Sequence, residues 1–197
     1  RMDADGRLLW SVILDGPNNV HLQELAADGR GNVYAAGMAY GDPGGEEWDS
    51  EGHFVAKVNG GTGAIEWFRP VGVKGFTQGY DGGLAVDAAG NLYFTATANG
   101  DVEGARNKRE NWDAFVAKFA PDGARQWFVF VGGSKDDHGN DIHVLPDGRI
   151  LLAGHSEGSG LKTGDAYDLP KCLNTWRGGK EDGFVAMLDP SGNVLWS

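Results

Sequence analysis

One phrase recurs along these 197 residues: HFVAKVNGGTGAIEW at 53–67, DAFVAKFAPDGARQW at 113–127 and DGFVAMLDPSGNVLW at 182–196. A shortened copy, RMDADGRLLW, occupies residues 1–10. The copies close on Trp10, Trp67, Trp127 and Trp196, spaced by 57, 60 and 69 residues. A tandem period of this size constrains the fold more than any bulk property, because each repeat must bury an apolar face that only its neighbours can cover.

A second family of segments falls between the tryptophans: ELAADGRGNVYAAG at 24–37, GLAVDAAGNLYFTA at 83–96 and DIHVLPDGRILLAG at 141–154. Each is two short apolar runs broken by a Gly-containing turn, the sequence form of a β-hairpin. One repeat therefore holds four strands, a to d, which in the middle repeat are expected at 84–86, 92–96, 114–119 and 125–131. In strand c, Phe115, Ala117 and Phe119 alternate with Val116 and Lys118, the period of a pleated strand with two unlike faces. Glycine at 33 of 197 residues, without a period of three and beside 11% aromatics, reads as many tight turns. The expected fold is all-β, with β-propeller blades of four antiparallel strands. About three blades are expected, at 21–73, 82–132 and 140–197, with a partial blade at 1–14 that duplicates an edge strand. Sandwich strands need not repeat in sequence, and solenoid coils are shorter, so both rank behind the propeller. Because residues 1–11 and 186–197 encode the same c–d corner, the expectation is an excerpt of a larger ring, completed by further blades from the same chain or another copy.

Seventeen basic against 28 acidic residues give a net charge of -11, which opposes phosphate backbones and anionic membrane surfaces; neither nucleic acid nor membrane insertion is expected. Cys172 is the single cysteine, which excludes an internal disulfide and a paired-cysteine metal knuckle. No apolar run reaches membrane-span length, and the opening residues have no signal-peptide pattern, as expected for a start inside a repeat.

DAFVAKFAPDGARQWFVFVGG at 113–133, continuing as GGSKDDHGNDIHVLPDG, resembles the bacterial β-propeller repeat often called the SBBP repeat. The likeness covers nearly the whole chain and is looser in the first repeat, where His53 stands in place of the usual Asp-Ala pair. It implies a secreted, cell-surface or periplasmic bacterial protein and lends no catalytic residues. GGTGAIEW at 60–67 is similar to the corner of propellers in the pyrroloquinoline-quinone dehydrogenase group, though only this corner has the Thr-Gly form.

Strand direction alternates within a repeat, so the long b–c connections (38–52, 99–112 and 155–181) and the d–a connections share one end. Variable loops on a rigid scaffold are where binding usually resides. Tyr40, Trp48, Trp112, Tyr167 and Trp176 lie in these connections, the first of which adds Asp42, Glu46, Glu47, Asp49 and Glu51. Exposed aromatics beside acids suit a polysaccharide, a protein loop or a cation; against this, each Trp can fold back as a lid over its own blade.

KDDHGNDIH gathers Asp136, Asp137, His138, Asp141 and His143, the densest set of potential ligands for Ca or Zn. His143, however, aligns with Ala26 and Ala85 of strand a, so no cofactor is expected. GHSEG at 154–158 matches a nucleophile elbow in letters, but no helix pattern and no histidine follow Ser156, so it is not read as a nucleophile. DADGRL at 3–8 lacks the twelfth-position Glu of an EF-hand and reads as a hairpin turn. The expected function is a non-catalytic interaction or scaffold module binding protein or glycan through the long loops. The alternatives are part of a propeller enzyme, acting on polysaccharide or dependent on a quinone or metal, and a structural subunit of a larger assembly.

Overall fold

The computed structural model of the chain describes residues 1–15, 19–40, 52–71, 73–74, 82–102, 111–133, 135–157, 162–163 and 180–197. All its regular structure among these residues is β, and no helix among them is long and apolar enough to cross a membrane.

Three antiparallel sheets, each of four consecutive longer strands, make up the fold. Sheet 1 runs β1 (Val20–Ala27), β2 (Val33–Ala39), β3 (Gly52–Val58), β4 (Ile65–Pro70). A two-residue strand, β5 (Val73–Lys74), follows it. Sheet 2 runs β6 (Gly83–Val86), β7 (Leu92–Ala98), β9 (Asp113–Phe119), β10 (Arg125–Gly132), with the short β8 (Asp101–Val102) leaving it to pair with β5. Sheet 3 runs β11 (Asp137–Val144), β12 (Ile150–Ser156), β14 (Asp182–Leu188), β15 (Val194–Trp196), while β13 (Lys162–Thr163) crosses over to extend sheet 2 at β10.

The turn chemistry explains why each strand stops where it does. In six of the tight turns the first residue bonds to the fifth and the fourth returns a bond to the first, as at Asp87: Asp87 N–H donates to Asn91 O at 3.0 Å and Gly90 N–H to Asp87 O at 2.9 Å. The fourth residue is always a glycine at positive φ, such as Gly123 at 87°, the bulge position of a three-residue hairpin loop. Where Asp opens the turn it also closes it: Asp87 Oδ1 accepts from Ala89 N and Asn91 N, and Oδ2 from Asn91 Nδ2 at 2.7 Å. Asp28 and Asp189 repeat the arrangement, so this end of the sheets satisfies its own polar groups.

Stacking follows from the two faces of each strand c. Phe115, Ala117 and Phe119 enter the core shared with sheet 1, where they meet Tyr34, Val55 and Trp67. Ala114 and Val116, on the other face, enter the core shared with sheet 3, where they meet Ile142, Ile150 and Leu152. β6 lies between β1 and β11, so the first strands of the three sheets run side by side. Residues 1–14 begin with a corner bonded like the one in sheet 3, Asp3 Oδ1 accepting from Asp5 N and Arg7 N, and they bring Leu14 against the outer face of sheet 1.

Each final strand inserts one extra residue just before its tryptophan. Val58 pairs with Ile65 and Lys57 with Trp67, leaving Glu66 unmatched; Gln126 and Leu195 occupy the same position. Such a bulge re-aims the next side chain. Trp67 completes a cross-strand row with Lys57 and Tyr34, and Trp127 one with Lys118 and Tyr93. In both rows the Tyr and Trp rings meet edge to face, at 6.1 and 6.2 Å, with the lysine ammonium over the tyrosine. The tryptophan then seats on the next unit: Trp67 Nε1 donates to Pro121 O at 3.0 Å, and its indole covers Gly123, where a Cβ would lie 2.9 Å away. Trp10 treats Gly60 O and Gly63 in the same way, and Trp127 covers Gly192.

Candidate functional site

Opposite the tight turns, both ends of every long connection emerge: β2 leaves and β3 returns there, as do β7 and β9, and β12 and β14. The two ends of the sheets differ in chemistry. Among the described residues the buried polar side chains are His53, Thr95, Thr97, Asp113, Asp137 and Ser156, and all but Thr95 lie at strand termini on the long-connection end. Burying such groups costs free energy unless each is partnered, so their concentration at one end marks built polar structure.

At the junction of sheets 2 and 3 the entry to β9 is laced to the entry of β11. Trp112 N–H donates to Asp136 Oδ1 at 3.1 Å, Asp137 N–H donates to Trp112 O at 2.6 Å, and Asn111 Nδ2 donates to Lys135 O. The Asp137 carboxylate is buried and accepts from Gly133 N–H through Oδ2. Asp137, Ser156 and Asp182 form one cross-strand row, so their side chains share a face. Next to that row, His138 stacks on His155 with ring centroids 4.4 Å apart and planes 9° from parallel. Asn140 Oδ1 lies 2.9 Å from His155 Nδ1, a bond in which the ring N–H donates to the amide oxygen.

His53 occupies the seam between sheets 1 and 2. Its ring lies 5.5 Å from Phe94 and 5.7 Å from Phe115, with Nε2 3.4 Å from Thr97 O. Burial pushes its pKa down to about 4, against the opposing pull of the Thr97 and Gly37 backbones, so the ring is neutral at pH 7. On the first strand of sheet 1, burial first and then the negative charge of Asp141 on β11 raise the pKa of Glu24.

The residues expected to form sites are distributed as follows. Tyr40 is half-buried at the exit of β2, held by its N–H to Asn19 O at 2.9 Å and packed edge-on to His21. Trp112 is half-buried at the entry of β9. Trp48, Tyr167 and Trp176 lie outside the described residues, as does Cys172. Of the expected ligand set, Asp136 serves the Trp112 backbone, Asp137 points into the buried row and His138 stacks on His155. Asp141 and His143 are exposed, Asp141 bonding the N–H of Ile142. The five do not converge: among the described residues no three His, Cys, Asp or Glu side chains are placed to share a metal ion. Ser156 sits in a regular ladder at the end of β12 rather than on a strained strand-to-helix turn.

The partnership of His138 with His155 and the influence of Asp141 on Glu24 were not anticipated from sequence. The first was within reach, since counting outward from the turn at 146–148 and allowing one bulge sets 138 opposite 155. The second was not, since it depends on how the sheets stack. Compared with known proteins, the chain matches no family model and no curated protein significantly.

Proposed function

We propose that the three sheets are consecutive blades of a β-propeller of the kind built by the SBBP repeat. In this reading they form a non-catalytic interaction or scaffold module of a secreted or surface protein, taking a protein or glycan at the long-connection end. The observation that carries this is the division of labour between the two ends. Tight turns with self-satisfied aspartates close one, whereas five of the six buried polar side chains among the described residues, together with the half-buried Tyr40 and Trp112, gather at the other. Loops on a rigid scaffold supply recognition without disturbing the packing beneath them.

The test replaces residues 41–51, 103–110 and 164–179, together and singly, with short Gly-containing turns, leaving β13 in place. Each protein is then titrated against a panel of bacterial polysaccharides by calorimetry. The intact chain is expected to bind at least one glycan, and the trimmed chain to lose that binding while keeping its unfolding midpoint. Full affinity after trimming, or no glycan bound by the intact chain, counts against the glycan form of the proposal. The alternative carried from the sequence is a metal-dependent enzyme. Elemental analysis of purified protein separates the two, since a stoichiometric ion favours the enzyme.

A further inference from the structure

At the seam of sheets 2 and 3, two rows of side chains face each other at the long-connection end. The seam is fixed one step deeper, where Gly139 sits so close to sheet 2 that a Cβ would lie 2.3 Å from Thr95 Oγ1 and 3.4 Å from Ala114 Cβ. Gly139, Gly154 and Phe184 form one cross-strand row, and two residues further out on the same face come Asp137, Ser156 and Asp182. In sheet 2, Thr97 pairs with Ala114 and Ala114 with Val131, and the last two belong to the core shared with sheet 3. Thr97 therefore turns its side chain toward sheet 3, as Thr95 does. The 2.6 Å bond from Asp137 N–H to Trp112 O joins the strands that carry the two rows.

These rows hold more oxygen than the protein satisfies. Thr97 is 1% exposed, and its Oγ1 has no hydrogen-bond partner. Asp182 is half-buried, yet its Oδ2 is closed to solvent and also has none. The Asp137 carboxylate, 0% exposed, shares the face of Asp182. A buried hydroxyl without a partner is destabilising, and two carboxylates on one closed face repel each other. One positive ion between the rows answers both costs. The donors are all oxygen, which selects a hard cation; calcium accepts many oxygens in irregular geometry, whereas magnesium demands a tight octahedron and zinc favours nitrogen and sulfur.

We propose that a calcium ion binds between these rows, held by Thr97 Oγ1, Asp182 Oδ2, the Asp137 carboxylate and Ser156 Oγ, and that it pins sheet 2 to sheet 3 beneath the long connections. Of the five ligands expected from sequence only Asp137 takes part, and the donor set is two carboxylates with two hydroxyls rather than three acids or histidines. The site goes beyond the glycan reading and is independent of it, because trimming the long connections leaves all four residues in place.

The full chain, stripped of metal by chelator, is titrated with calcium chloride by calorimetry at physiological salt, and its unfolding midpoint is read in calcium and in chelator. One strong site is expected, with a higher midpoint in calcium, because an ion held by the folded state alone stabilises it. Asp182→Asn and Thr97→Val should each weaken calcium binding at least about tenfold, since even outer partners of a metal site are worth that much. Thr97→Ser keeps the hydroxyl and should keep the binding. Thr97→Val adds a reading that a merely structural threonine would not give: in chelator it is at least as stable as wild type, having no buried hydroxyl to satisfy, and in calcium it is less stable. Elemental analysis of wild type and Asp182→Asn assigns any stoichiometric ion. Calcium lost with the substitution belongs to this seam, whereas an ion that survives it is that of the enzyme reading and counts against the proposal. No calcium bound by wild type, magnesium bound in its place, or equal calcium binding by wild type, Asp182→Asn and Thr97→Val would each overturn it.

Discussion

Replacing His53 with Ala changes how stability responds to pH, and the size of the effect follows from the seam between sheets 1 and 2. The ring is packed against Phe94 and Phe115, and burial holds its pKa near 4, whereas in the unfolded chain it returns to 6.5. Between those values the unfolded state binds a proton that the folded state refuses, so stability falls as pH drops from 6.5 toward 4. At about 1.4 kcal/mol per pH unit, the total is about 3 kcal/mol. Alanine is a fair replacement because Ala114 holds the equivalent position in β9. At pH 7.5 the variant is expected to be less stable by about 2 kcal/mol, from the emptied ring volume. Urea unfolding of both proteins at pH 7.5, 6.5, 5.5 and 4.5 should show that advantage of wild type shrinking and, at the lowest pH, reversing. The remaining histidines and all carboxylates are common to both chains and cancel in the difference. Parallel stability curves across this range would refute the argument, since they would mean that His53 takes up its proton equally in both states.

The stacking device supplies a matched pair of glycine substitutions. Gly148→Ala meets positive φ with Pro190 no closer than 3.4 Å and should cost about 1–2 kcal/mol, whereas Gly123→Ala adds a Cβ 2.9 Å from the Trp67 indole and should cost about 3 kcal/mol or more by urea unfolding. Trp67→Ala is expected to cost about 3–5 kcal/mol, while Trp196→Ala, whose half-buried indole covers none of the described glycines, should cost under about 1 kcal/mol. Burial works to raise the Asp87 pKa, but the Asn91, Tyr93 and Ala89 donors outweigh it and hold the carboxyl below its usual value. That stability is present above the ordinary carboxyl range and is lost as pH falls through the lowered value. Asp87→Ala should therefore cost about 1–3 kcal/mol at pH 7 and progressively less at pH 3, as read by thermal unfolding.

Much of the architecture was legible because it is written locally. The alternation of Phe115, Ala117 and Phe119 with Val116 and Lys118 fixes two faces on one strand, and the glycines at the fourth turn position fix where each strand ends. The bulge residues Glu66, Gln126 and Leu195 left no such mark, because an inserted residue keeps the strand's composition and shifts only its register. The two short strands β5 and β8 and the crossover of β13 escaped notice because two residues carry no periodicity. At the candidate site, Trp112 was placed at the correct end of its sheet, but its half-burial and the use of Asp136 to hold its backbone depend on contacts between segments 24 residues apart.

By itself the sequence determined the all-β character, the four-strand unit and the position of each tryptophan, since these follow from hydrophobic period and turn chemistry within a few residues. Only the tertiary structure decided that Trp10, Trp67 and Trp127 each seat on the following unit. It likewise decided that His53 is held neutral, and that the five ligand candidates do not come together as a metal-binding group. Those outcomes turn on which face of which sheet meets the next, and on the water excluded when they meet.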